Sequence, residues 1–193
     1  MSAVAIGQPA PPFRLPSATG EEVDLEGYRG KQNVIVWFTK GMACGFCRQH
    51  MSQLARSYPR FRGLDTELLE ISVTPPSRAR LYARKFQIPF PYLCDPDYRV
   101  RREWGLETRS HSPVWYVKNF IAASGEHAEP TEFGPPSPDF LQMHRLLADE
   151  DTGFFIVDRD GFVRYAQAGM YADDHGVRPI PPNDEIEQAL SRL

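Results

Sequence analysis

Two cysteines three residues apart, Cys44 and Cys47, stand between an apolar run and an amphipathic one, and no other part of the chain constrains its fold as much. Val34 to Phe38 is short, β-branched and aromatic and stops at Lys40-Gly41, which reads as a buried strand. Phe46, Met51, Leu54 and Ala55 then recur at roughly helical spacing, with Arg48, Gln49, Gln53 and Arg56 left for the polar side. Two thiols at a helix start can close a disulfide across one turn, and the unpaired N–H groups there favour a thiolate. With three cysteines among 193 residues, this spacing arises by accident in about 3% of chains, so the motif reads as chemistry rather than packing.

Metal chemistry is the competing use of such a pair. Cys44, Cys47 and His50 would give three ligands, whereas closed zinc sites take four and no second C-x-x-C exists. The expectation is therefore a redox pair with no metal and no organic cofactor. The net charge of −3 offers no footprint for nucleic acid or an anionic membrane, and no run approaches the roughly 20 apolar residues of a membrane span. The N-terminal stretch has no basic start and no apolar segment of a secretory signal, so a cytoplasmic location is expected. In a reducing compartment such a pair cycles rather than staples.

In chain order, Pro11–Leu15 and Glu22–Leu25 flank a turn at Ser17–Gly20 and read as a small hairpin. After the helix from Cys44 to Arg62, Thr66–Val73 is a second core strand, and the crossover implies a parallel pair. Ser77–Phe86 reads as a helix with Ala79, Leu81, Tyr82 and Phe86 facing inward. Arg99, Arg101 and Arg102 read as a solvated helix face. Trp37 and Trp104 read as packing residues, and Cys94 as a semi-buried residue at a strand end. Asp160-Gly161 joins two strands from Gly153 to Tyr165, and Asn183–Leu193 closes the chain as a helix capped by Asn183 or Asp184.

The opening I-G-Q-P-A-P-P-F-R-L-P with the following V-D-L and G-Y-R-G-K, the Asp95-Pro96 turn before Gly105-Leu106, and the final hairpin together resemble the alkyl hydroperoxide reductase/thiol-specific antioxidant family, the peroxiredoxins and their relatives. The resemblance covers about three quarters of the chain and implies an α/β, thioredoxin-like fold, a central mixed sheet flanked by helices. To this fold the sequence adds an N-terminal hairpin extension and an insertion before the last hairpin. Residues 1–193 are then one domain, with 107–151 inserted within it. That insertion holds Trp115, Tyr116 and Phe120, a Gly/Pro-rich section and a short helix through Phe140, Leu141, His144 and Leu147, the makings of a lid or interface.

The candidate catalytic residues are Cys44 and Cys47, with Arg48, His50 and Lys40 in supporting roles. In a dithiol reductase the first cysteine attacks and the second resolves, which assigns attack to Cys44. In the family's Pro-x-x-x-Thr-x-x-Cys pattern the peroxide-reactive position falls on Cys47, while Lys40 stands at the proline and Cys44 at the threonine. The family's later arginine falls on or near Thr152, and the cis-proline of thioredoxins on Gly153, with Ser112-Pro113 as the other candidate. The leading expectation is a thiol-disulfide oxidoreductase cycling Cys44/Cys47. Its alternatives are a thiol peroxidase with Cys47 peroxidatic and Cys44 resolving, and a non-catalytic redox-sensing or interaction module. The partners that follow are a protein or small-molecule disulfide or a hydroperoxide as substrate, an external thiol as reductant, no nucleic acid and no membrane; a homodimer is compatible.

Overall fold

The computed structural model describes residues 4–43, 45–106, 108–109, 132–133, 149–150, 152–169, 171–173, 176–178 and 180–193. The apolar run becomes β3 (Asn33–Thr39), preceded by a hairpin of β1 (Arg14–Pro16) and β2 (Glu22–Asp24). Helix α1 (Gly45–Gly63) leads into β4 (Thr66–Ser72), α2 (Pro76–Phe86), β5 (Tyr92–Cys94) and the short α3 (Arg99–Glu103). A two-residue pair, β6 (Thr108–Arg109) with β7 (Asp149–Glu150), brackets the expected insertion. The hairpin β8 (Gly153–Val157) and β9 (Val163–Ala168), the pair β10 (Tyr171–Asp173) and β11 (Gly176–Arg178), and α4 (Asn183–Leu190) complete the described elements.

The main sheet has the order β5-β4-β3-β8-β9. β3 runs parallel to β4 and antiparallel to β8, so Val36 faces Leu69 on one side and Phe155 on the other. All seven residues of β3 are buried, because a strand covered on both faces has no solvent side, which explains its unbroken apolar run. Alternation then divides the core. Ile35 and Trp37 join Leu68, Phe154 and the inner faces of α1 and α4. Val34, Val36 and Phe38 join Leu69, Phe155, Trp104 and the N-terminal hairpin on the opposite face. Among the described residues no helix is long and apolar enough to cross a membrane.

Four expectations need correction. Leu81 points outward, 60% exposed, while Ala79 is buried and Tyr82 and Phe86 pack against the core. Arg101 is not on a solvated face but 1% exposed. Cys94 is fully rather than partly buried. Neither Asn183 nor Asp184 caps α4, whose N-cap is Pro182 with no side-chain bond; Asn183 Oδ1 instead accepts from Gln53 Nε2 at 2.9 Å, tying α4 to α1. Asp184 and Glu185 still place negative charge in the first turn of α4, where the helix dipole favours it.

The central part of 107–151 lies outside the described residues, including Trp115, Tyr116, Phe120 and the expected helix through His144. Glu132 and Phe133 are described, and both pack onto the body of the fold. Phe133 is 1% exposed in the α1-side core, its ring 6.4 Å from that of Phe86, and the Ser52 hydroxyl donates to Glu132 at 2.5 Å.

Candidate active site

β3 delivers the chain to the cysteine motif through a turn whose geometry is set from below. The side chain of Thr39, the last residue of β3, accepts from the Gly41 N–H at 3.1 Å. Residues Gly41–Ala43 form a single 3₁₀ turn, and Gly41 adopts φ +71°, a left-handed conformation that only glycine takes up without strain. Beneath the turn lie three buried hydroxyls. Ser72 Oγ and Thr74 Oγ1 are 2.7 Å apart, Thr74 Oγ1 and Tyr92 Oη 2.9 Å apart, and the Thr74 N–H donates to Ser72 Oγ at 3.1 Å. The Tyr92 hydroxyl also receives the backbone N–H of Met42, so β4 and β5 hold the turn directly. Burial raises the Tyr92 phenol, and the nearby Glu70 carboxyl adds to this, so the hydroxyl stays protonated.

Cys47 is the third residue of α1, where the helix still has unpaired N–H groups. Its side chain is buried, 2% exposed, and opens the inward stripe that continues through Met51 and Leu54. Cys44 lies outside the described residues, so its pairing with Cys47 stays an expectation. Of the supporting candidates, Lys40 follows β3 and Arg48 follows Cys47, both half-buried. One ring nitrogen of His50 lies 3.4 Å from Gln53 Oε1, and Gln53 in turn bonds Asn183, which makes His50 part of the α1–α4 seam.

Two buried polar groups near this site were not singled out from the sequence. Glu70 sits on β4 beside Trp37 and Tyr92, fully buried, and among the described residues neither carboxyl oxygen nor the Trp37 Nε1 has a hydrogen-bond partner. Burial holds its carboxyl well above the usual carboxylate range. The L-L-E-I-S run offered a signal, since strand alternation puts Glu70 on the face shared by Leu68 and Ser72. The other is Arg101, whose Nη2 donates to the Thr39 carbonyl at 2.8 Å. No local signal marks it, because its partner lies in a distant strand.

The residue on or near which the resemblance would put the family's arginine carries a hydroxyl. Thr152 is 7% exposed and its Oγ1 donates to the Gly169 carbonyl at 3.3 Å. Gly153 follows and pairs with Phe38; a β-carbon there would press on Leu106 and Phe155 at 2.7 Å, which explains glycine at that point. No cis peptide bond occurs among the described residues, and Ser112-Pro113 lies outside them.

Comparison with known proteins gives a consistent picture. Residues 6–166 match the model of the AhpC/TSA family. Alkyl hydroperoxide reductase E of Mycobacterium tuberculosis is 34% identical over 164 residues, covering 84% of each chain. Peroxiredoxin Bcp of Escherichia coli is 27% identical over 175 residues, covering 91% of this chain and 92% of that one. The chloroplastic peroxiredoxin Q of Populus jackii is 31% identical over 100 residues, and that match spans only 46% of its length. Among solved structures, peroxidoxin BcpB of Mycobacterium tuberculosis superposes with a TM-score of 0.64 at 15% identity, over 97% of this chain and 95% of that one. Peroxiredoxin Q of Xanthomonas campestris gives 0.63 at 13% identity, over 93% and 90%. These similarities in structure establish the thioredoxin-like fold.

Proposed function

This chain belongs to the AhpC/TSA family, and on that premise we propose that it is a thiol peroxidase, a thiol-dependent oxidoreductase in which Cys47 attacks a hydroperoxide and Cys44 resolves the product. The observation that carries the reading is the place of Cys47: a buried cysteine in the first turn of α1, on the position that the family pattern reserves for the attacking cysteine. The thiolate attacks one peroxide oxygen; an S–O bond forms, the O–O bond breaks, and the departing alkoxide takes up a proton to leave as alcohol or water. Cys47 is then a sulfenic acid. The Cys44 thiol condenses with it, forming the disulfide and releasing water, and an external thiol donor returns both cysteines to the reduced state by exchange.

One observation favours a second reading. Cys47 is buried, as suits the resolving member of a dithiol reductase, and attack would then fall to Cys44. The two readings separate by intact mass and thiol count after one equivalent of hydrogen peroxide. A peroxidase led by Cys47 loses two hydrogens quickly, and a sulfenic acid is trapped in Cys44→Ser but not in Cys47→Ser. Slow reaction with peroxide, with rapid exchange against a disulfide that Cys44→Ser abolishes, would replace this reading by the reductase. One domain of 1–193 with 107–151 inserted, a cytoplasmic location and a homodimer complete the proposal; the docking of Glu132 and Phe133 on α1 and α2 supports the first.

A further inference from the structure

Helix α2 presents a face that the fold does not use. Ala79 is buried in the same core as Met51 and Leu54 of α1, so the two helices lie on one side of the sheet. The outer face carries Arg80, Leu81, Arg84 and Lys85, all exposed and spaced so that they share one strip of surface. Leu81 is 60% exposed, and among the described residues no other large apolar side chain inside a helix or strand is exposed. The charge is equally one-sided. Arg78, Arg80, Arg84 and Lys85 are cationic and the helix holds no acidic residue, so the rest of the chain is more acidic than the net −3 of the whole.

These cations have no use within the fold. Arginines elsewhere meet carboxylates, Arg60 with Glu187 at 3.0 Å and Arg99 with Glu103 at 3.2 Å, whereas among the described residues no ion pair involves Arg80 or Arg84. The helix dipole accounts for Arg84 and Lys85 in the last turn but not for Arg80, which repels Arg84 one turn away. An exposed leucine set among cations is the surface an acidic partner with an apolar contact would cover. Its place narrows the partner further. β4 ends at Ser72, opposite Thr39 at the end of β3. Thr74 Oγ1 lies 2.8 Å from where a β-carbon on Gly41 would stand, and α2 starts just beyond it at Pro76. The strip therefore runs from the edge of the sheet that carries the cysteine motif along the 11 residues of α2, about 16 Å.

We infer that the exposed face of α2 docks an acidic protein dithiol, the donor that returns the oxidised cysteine pair to its thiols. The inference rests on the reading of Cys44 and Cys47 as a cycling pair. One donor thiolate attacks a sulfur of the Cys44–Cys47 disulfide, forming a mixed disulfide and releasing one cysteine. The donor's second thiol then displaces the other, so the donor leaves as a disulfide and two electrons and two protons stay on the pair. A hydroperoxide is too small to span the strip, and nucleic acid or an anionic membrane would also meet the acidic remainder of the surface.

The test offers the peroxide-oxidised protein three synthetic peptides that share one Cys-x-x-Cys and one leucine and differ only in their flanking residues, glutamate, glutamine or lysine. Loss of the disulfide is followed by intact mass. At low salt the glutamate peptide should reduce it about tenfold faster than the glutamine peptide, a lead lost at about 0.5 M salt. Arg80→Gln/Arg84→Gln should erase the lead, and Arg80→Glu/Arg84→Glu should pass it to the lysine peptide, a reversal that damage to the fold cannot produce. A glutamate lead that survives the loss of both arginines overturns the inference. So does self-association of the wild type that Arg80→Gln/Arg84→Gln abolishes, since the strip would then seat a second copy. Tighter binding of a duplex oligonucleotide or a phosphatidylglycerol vesicle than of the glutamate peptide, its cysteines replaced by serine, overturns it as well. If oxidation leaves no disulfide, the dithiol reading has failed and the inference with it; if the disulfide forms and all three peptides reduce it alike, the inference alone falls.

Discussion

The Tyr92 hydroxyl stands where a β-carbon on Gly41 would have to go. Ser72 Oγ crowds the same point, and Thr74 Oγ1 lies 2.8 Å from it. All three oxygens are held by one another and by the turn above them, so none can retreat without leaving a buried polar group unsatisfied. The glycine and the hydroxyls are one device for setting the approach to the cysteine motif.

Gly41→Ala should therefore destabilise the protein by about 2–3 kcal/mol, combining backbone strain with displaced hydroxyls. For a chain of this size that corresponds to a fall in Tm of roughly 4–12 °C. Thermal unfolding followed by circular dichroism checks it. An alanine variant with wild-type Tm would mean that the turn relaxes freely.

Cys94 should be chemically silent in the native protein. Burial pushes its thiol up to about 11, so below pH 9 or so almost none is thiolate, and no solvent path reaches it. Mass spectrometry after brief iodoacetamide treatment at about pH 8 should find Cys94 unmodified until guanidinium chloride is added. Modification of Cys94 at a rate comparable with Cys47 would contradict its placement in the core.

Glu70 gives a pH dependence of stability with a definite sign. Its folded-state carboxyl is held above the ordinary value by burial, so the native state keeps a proton that the unfolded chain releases. Its contribution to stability is whole below the unfolded value of about 4.3 and is lost as pH rises through the raised folded value. Glu70→Gln abolishes that loss. The variant should differ little from wild type near pH 4 and exceed it by a margin that grows toward neutrality, read as Tm against pH. A constant difference across the range would show that the carboxyl does not titrate between the two states.

Much of this architecture was legible because it is written in short-range patterns. β3, α1 and β4 announce themselves by period and by the stop at Gly41, and the Asp160-Gly161 turn by its dipeptide. Arg101 was misread because its surroundings in sequence are charged, whereas its burial is decided by Phe38 and Thr39 from another strand. Leu81 was assigned inward by its apolar side chain, although the side of α2 bearing Ala79 is the one that meets the sheet. Asn183 looked like a cap, and a long-range bond from Gln53 took its side chain instead. At the site, the place of Cys47 could be anticipated, but the hydroxyls beneath Gly41 come from β4, the residues just after it and β5, and only the folded sheet assembles them.

The double pairing of β3 also has a temporal meaning. Its parallel neighbour β4 follows after a single helix, whereas on its other side Val34 must wait for Val157. At ribosomal speeds of about 5–20 residues per second, that wait is on the order of ten seconds, during which one side of β3 is a bare edge able to pair with any other chain. The strand that leads to Cys47 is thus paired on one side well before the other, and the sheet that carries it closes only after β8 has been made.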